Sequence, residues 1–374
     1  MKQFIYADNA ATTQLDIDAF NAMKTYLLSE YGNASQPYSF AKTAKKALKE
    51  SREIIAQCIG ANPEEIYFTS GGTESNNWAI KGSAFADFEK RATITSVIEH
   101  HAVLRACADI ERLGYPVVYL PVDSVGNVQA QMLSESITCK TRLVSVMMAN
   151  NEIGTIQDIS ALAEIAHSHG AVFHTDAVQA VGHIPIDVGA LGVDMLSASA
   201  HKFNGPKGIG FLYIRKGTEL SAYISGGGQE SKMRAGTENI ASIVGMAIAL
   251  DKNIKTIDET TKHLIMLENQ LINALYANHV DFIRNGSESH IPGNISLSFP
   301  GYDGEALLHR LDLLGIFVST GSACDSNNTQ ISHVLKAIGL EEKYAKGTIR
   351  ISLGRNNTEE DVTAIATAIT SILK

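Results

Sequence analysis

The chain has 374 residues, 45 % of them hydrophobic and 19 % charged, with a formal net charge of −9. That length exceeds one compact core, so two domains are expected, and the acidic balance argues against nucleic acid as a direct partner. No apolar run reaches the roughly 18 residues that span a bilayer, and "MKQFIYADNAATT" shows no basic-then-apolar leader, so a cytoplasmic protein with no membrane partner is expected.

Taken in chain order, a helical pattern first carries Leu48, Ile55 and Ile59. From about residue 60 to 215, short apolar runs then alternate with helical patterns. The runs "IYFT" (66–69), "TITSVI" (93–98), "VVYL" (117–120), "LVSVMMA" (143–149), "AVFHT" (171–175), "MLSAS" (195–199) and "IGFLYI" (209–214) predict strands. They are short, apolar or β-branched, and bounded by Gly, Asp, Asn or Pro. Between them, "ESNNWAIKGSAFA", "HAVLRACADIERL" and "DISALAEIAHSHG" predict helices. Such alternation implies an α/β fold with a mainly parallel seven-stranded sheet covered by helices on both faces.

After about residue 255 the texture changes. Leu264, Leu267, Leu271 and Leu275 mark a long amphipathic helix. Strands are predicted at "ISLSFP" (295–300), "GIFVST" (315–320) and "TIRISLG" (348–354), with helices at "GEALLHRLDLL" and "EEDVTAIATAITSILK". A smaller α+β domain is expected, made of residues 1–12 and 256–374, beside a large domain of residues 13–255. No internal repeat is present.

The four cysteines, at 58, 107, 139 and 324, form no C-x-x-C and no zinc-spaced cluster, so no resident metal is expected. Cys58 and Cys107 fall in helical patterns and read as packing residues, and Cys139 as an incidental thiol. Cys324, within "STGSACDSNNTQ" (319–330), lies among small polar residues that predict an exposed loop. An accessible thiol is an oxidation liability, so a chemical task is expected of it.

Lys202, in "SASAHKFNGPKGIGFLYI", follows a predicted strand and precedes a Gly/Pro-rich turn. Ligands of open α/β sheets bind beyond the carboxyl ends of the strands, where a partly desolvated lysine suits Schiff-base chemistry. "FTSGGTESNN" (68–77) reads as strand, Gly-rich turn and helix start, offering the N–H groups of Gly72 and Thr73 to a phosphate. Glu74 reads as an ordinary helix-start residue. Asp176 in "HTDAVQ" could keep a pyridine nitrogen protonated, and Gln179 could donate to a ring oxygen. Asn151 in "ANNEIGT" could do the same, and His100 in "IEHHAV" could stack on a ring and move a proton. Five predicted strand ends thus carry polar residues suited to one planar, phosphorylated, aldehyde-bearing ligand, pyridoxal 5′-phosphate.

From "YADNAATT" (6–13) to "IRISLGR" (349–355), the chain resembles the NifS/IscS-type cysteine desulfurases. These are fold type I pyridoxal-phosphate enzymes of the class V aminotransferase group. The resemblance is carried by "FTSGGTESNN", "EHHAV", "NNEIG", "DAVQ", "SAHKFNGPKGIG", "MRAGTEN", "GSAC" and "IRISLGR". It implies Lys202 as the Schiff-base lysine and Cys324 as the nucleophile that becomes a persulfide. His100 would stack on the ring, Asp176 would face the ring nitrogen, and Asn151 and Gln179 would lie near the phenolic oxygen. Gly72, Thr73, Ser199 and His201 would hold the phosphate, and Thr237 would reach the phosphate of a neighbouring subunit, implying a homodimer. Arg350 would clamp the carboxylate of L-cysteine, with Asn33 and Asn151 on the substrate side. The implied sulfur acceptor is an iron–sulfur scaffold or a tRNA-thiolation protein, with Cys324 touching a cluster at most transiently. The chain departs from the family pattern at Tyr38, where a histidine is common, and at Gln330 and Ile331, where Glu-Pro is common. Selenocysteine lyase, another class V lyase or aminotransferase, and a non-catalytic sulfur-relay scaffold are the alternatives.

Overall fold

The computed structural model describes residues 4–87, 89–321 and 331–374; Cys324 and Gln330 lie outside the described residues. A short strand, β1 (Ile5–Tyr6), precedes the seven strands of the main sheet. These are β2 (Ile66–Thr69), β3 (Ala92–Ser96), β4 (Val117–Leu120), β5 (Thr141–Ser145), β6 (Val172–Asp176), β7 (Met195–Ser199) and β8 (Gly210–Ile214). Their order in space is β2-β8-β7-β6-β5-β3-β4. Only β8 runs against its neighbours; the remaining pairings are parallel.

Side chains alternate across this sheet, so each strand feeds two cores. Val144, Leu196 and Phe211 point to one face, with Ile55, Leu162 and Leu250 from the covering helices. Their neighbours Leu143, Met195 and Leu212 point to the other, with Trp78, Val103 and Ile110. This explains why the strands read as continuously apolar rather than alternating.

A second, three-stranded antiparallel sheet is ordered β12-β10-β9, where β9 is Ile283–Asn285, β10 is Asn294–Ser298 and β12 is Thr348–Ser352. Helices Ile257–Ala277 and Glu359–Leu373 bury Leu267, Leu271, Ile365 and Ile369 against Ile295, Leu297 and Ile351 in a separate core. The expected strand at 315–320 is only β11 (Ile316–Phe317), which pairs with β1. The expected strand at 143–149 is regular only to Ser145: the Val146 and Met148 N–H groups still donate to His174 and Asp176 of β6, but the Met147 N–H is taken by the Glu99 carboxylate at 2.9 Å instead of a neighbouring strand. No helix among the described residues is long and apolar enough to cross a membrane.

Candidate active site

Parallel strands align their carboxyl ends, and the candidate residues gather there. Asp176 is the last residue of β6 and Ser199 the last of β7, while Lys202 follows β7 by one 3-10 turn. His100 begins the helix His101–Arg112 after β3, and Asn151 lies in the turn after β5. Together with Arg350 they line one cavity of about 610 Å³, within the ordinary range for a ligand site.

The Lys202 Nζ lies in this cavity and donates to the carbonyls of Ala10 (2.6 Å) and Ala11 (2.9 Å). Gln179 Nε2 donates to the same Ala10 carbonyl at 3.0 Å. The N-terminal "NAATT" stretch therefore forms part of the wall. Helix Gly72–Ala86 points its first turn at the cavity, and no side chain among the described residues caps it. Gly71 there has φ +148°, which disfavours any L side chain, and an added Cβ would lie 3.4 Å from Ser199 Oγ. That turn presents open backbone donors beside the Ser199 hydroxyl.

His100 accepts the Ala102 N–H on Nδ1 at 3.1 Å, so the neutral ring carries its proton on Nε2. Burial, ahead of the charges around it, holds this imidazole below its ordinary value. Burial first, then the cations of Lys202 and Lys207, push His201 down to about 4. Its Nδ1 meets the Thr12 hydroxyl at 3.1 Å.

Arg350 lies on the opposite wall, in the middle of β12 and only 3 % exposed. It donates to Asp8 Oδ1 at 2.7 Å and to the Asn151 carbonyl at 2.8 Å. Its Nε is buried without a partner among the described residues. Beside it, the Ser319 N–H donates to the Arg350 carbonyl, and Gly321 lines the same cavity.

A family model for class-V aminotransferases matches residues 5–365. The chain belongs to the class-V aminotransferase family. A protein of Dictyoglomus turgidum named cysteine desulfurase IscS is 49 % identical over 364 residues, covering 97 % of this chain and 92 % of that protein. One of Methanosarcina thermophila with the same name is 46 % identical, covering 99 % and 92 %. The solved structure of a NifS-like protein superposes with a TM-score of 0.94 at 39 % identity, covering 99 % of both chains. That of SspA in complex with cysteine reaches 0.83 at 37 % identity, covering 95 % of this chain and 100 % of the other. Within the class-V family the chain is therefore of the cysteine desulfurase type. It is a pyridoxal-phosphate enzyme with the α/β, fold type I architecture.

The side chains of this class-V member fit that cofactor. A strand-end lysine reaches the cavity, a helix start without a side-chain cap among the described residues can take a phosphate, and the Asp176 carboxylate lines the same cavity. Two expected residues are not brought to the cavity of this chain. Asn33 spends its amide oxygen on the Ser35 N–H, and Thr237 is exposed away from the lining residues. Glu74 is more than a helix-start residue. It accepts from the Ser70 N–H and pairs with Arg234 through two hydrogen bonds of 2.8 and 3.1 Å. That pair pins the "MRAGT" segment to the rim of the pocket. Asp8, Asn76 and Arg234 were not distinguishable as site residues in the sequence, although Asn76 stands inside "FTSGGTESNN". The helical period alone puts it one turn from Gly72, and that was the available signal.

Two of the other thiols are poor nucleophiles. Cys107 is fully buried and Cys58 half-buried, and burial pushes both up to about 12. Cys139 is exposed, on the far side of β5 from the strand ends.

Proposed function

We propose that this protein takes the sulfur of L-cysteine onto Cys324 as a persulfide, releases L-alanine, and hands the sulfur to an acceptor protein. The observation that carries this reading is that Lys202, Arg350 and Gly321 line one cavity. Cys324 follows Gly321 by three residues, a chain length of at most about 10 Å.

When bound, pyridoxal phosphate supplies an electron sink conjugated to the substrate Cα. Gly72, Thr73, Ser199 and His201 would hold its phosphate. Asp176 would face its ring nitrogen, His100 its ring face, and Asn151 and Gln179 its ring oxygen. Arg350 takes the substrate carboxylate with its planar fork, and Asn151 stands on the substrate side. Lys202, which also binds the cofactor, removes the Cα proton. The Cys324 thiolate attacks the substrate sulfur, so an S–S bond forms as the C–S bond breaks, and His100 through Nε2 moves the proton that the departing carbon needs. Cysteine and an enzyme thiol become alanine and an enzyme persulfide, so no external oxidant or reductant enters.

The working unit in this reading is a homodimer, in which Thr237 of one subunit serves the phosphate of the other. Ile17, Phe20, Leu27, Leu28 and Tyr31 support it, being large apolar side chains left exposed on and just beyond one helix. The separation of the three-stranded sheet's hydrophobic core from those of the main sheet supports a large domain of residues 13–255 and a small one of residues 1–12 and 256–374. The acceptor is an iron–sulfur scaffold or a tRNA-thiolation protein, and the reaction belongs in the cytoplasm, where thiols stay reduced.

The deciding experiment is Cys324→Ala. Alanine release from L-cysteine should be lost while the visible absorption of the bound cofactor persists. Wild-type alanine release from that variant would overturn the reading. Turnover of selenocysteine by the same variant, with cysteine turnover lost, would separate a lyase side activity from desulfuration.

A further inference from the structure

Asp176 has both carboxylate oxygens engaged. Oδ1 accepts the Val178 N–H at 3.0 Å, and Oδ2 accepts Asn76 Nδ2 at 2.6 Å. Asn76 is 1 % exposed. Its other amide atom, Oδ1, is buried without a hydrogen-bond partner among the described residues. A carboxylate offers acceptors only, so the amide must turn its nitrogen to Asp176 and leave its oxygen orphaned. An orphaned buried carbonyl costs folding free energy. For packing a helix on a sheet, an apolar residue of similar size would serve better. The cost makes sense if the amide acts on Asp176.

The placement of Asn76 on its helix adds a second argument. It stands one turn beyond Gly72, the residue that opens the phosphate cradle. A Cβ at Gly72 would meet Val178 Cγ2 at 2.5 Å. The helix is therefore seated on the Asp176–Val178 turn at two points, by backbone approach at Gly72 and by a hydrogen bond at Asn76.

We propose that Asn76 is a positioning residue that orients the Asp176 carboxylate and locks it in register with the phosphate cradle. One rigid helix then sets the distance between the groups for the two ends of the cofactor, so neither shifts without the other. The inference rests on the reading of Asp176 as the partner of the ring nitrogen.

The test is a double-mutant cycle on the holoenzyme. It is read by the dissociation constant for pyridoxal phosphate and by the pH titration of the bound cofactor's visible absorption. Asn76→Ala is expected to weaken binding roughly tenfold and to move the titration midpoint. In an Asp176→Ala background the same change should alter neither. Asn76→Asp should weaken binding more than Asn76→Ala, because two carboxyl groups would meet at hydrogen-bonding distance. An undiminished Asn76→Ala effect in the Asp176→Ala background overturns the inference, as does a wild-type affinity and titration in Asn76→Ala. If Asp176→Ala itself leaves both readouts unchanged, the reading of Asp176 falls and takes the inference with it. Should Asn76→Ala lose its circular dichroism, Asn76→Ser carries the same cycle.

Discussion

The two walls of the pocket are built on different principles. One is made by the ends of parallel strands, where Asp176, Ser199 and Lys202 follow their strands into a common crevice. The other is the middle of an antiparallel strand, where Arg350 is held by Asp8 from 342 residues away in the chain. In a parallel sheet the carboxyl ends align by topology, so residues just past each strand converge whatever else the protein does. A side chain in mid-strand enters a site only if a second layer docks there. The first wall is therefore robust to local change, and the second depends on how two sheets meet.

The comparison can be broken most severely at Lys202. Lys202→Ala should lower alanine release from L-cysteine by roughly 10²–10⁴-fold. Borohydride should then fix no chromophore to the peptide carrying position 202. Retained turnover would remove the strand-end wall from the chemistry.

Glu99 tests how much strain the same wall carries. It is fully buried beneath it, with Oε1 accepting from Ser96 Oγ and the Met147 N–H and Oε2 without a partner among the described residues. Burial, helped by the Asp176 charge, pushes its carboxyl up to about 8 from an ordinary value of 4.5. Between those values the folded protein binds more protons than the unfolded chain, so stability falls as pH rises. The slope is at most about 1.4 kcal/mol per pH unit. Glu99→Gln cannot titrate. Its melting temperature relative to wild type should climb steadily from pH 5 to pH 8, and a constant difference would show Glu99 ionised throughout.

For the second wall, Arg350→Lys keeps the charge and loses the fork. Substrate binding should weaken by about 2 kcal/mol, read as a rise in KM of roughly 30-fold with a smaller change in kcat. Equal loss in both would move Arg350 from substrate binding to the chemical step. The smallest effect belongs to Tyr38→His, which restores the residue common in the family. Tyr38 is half exposed, so stability should change by less than about 0.5 kcal/mol, and an altered KM for cysteine would place Tyr38 on the substrate side.

Much of the first wall was legible in the sequence because its residues come with local punctuation. Lys202 sits between a short strand run and a Gly/Pro turn, and Gly72 and Thr73 sit between a strand and a helix. The end of β5 was not legible. Met147 and Met148 continue an apolar pattern, but the partner of the Met147 N–H is a carboxylate 48 residues away. Glu74 looked like a helix-start residue because acids are common there. Only its contact with Arg234, 160 residues on, shows that it ties a second segment to the rim.

The sequence by itself determined the alternation of strands and helices, the polar residue at each strand end, and the family. These are local matters of period, capping and turn chemistry, which a short stretch of chain encodes alone. Only the tertiary structure decided that Asn76 faces Asp176 across 100 residues, that Lys202 leans on the carbonyls of Ala10 and Ala11, and that Asp8 holds Arg350. Those pairs form where separate layers dock, and the docking depends on the packing of the whole chain rather than on any one segment.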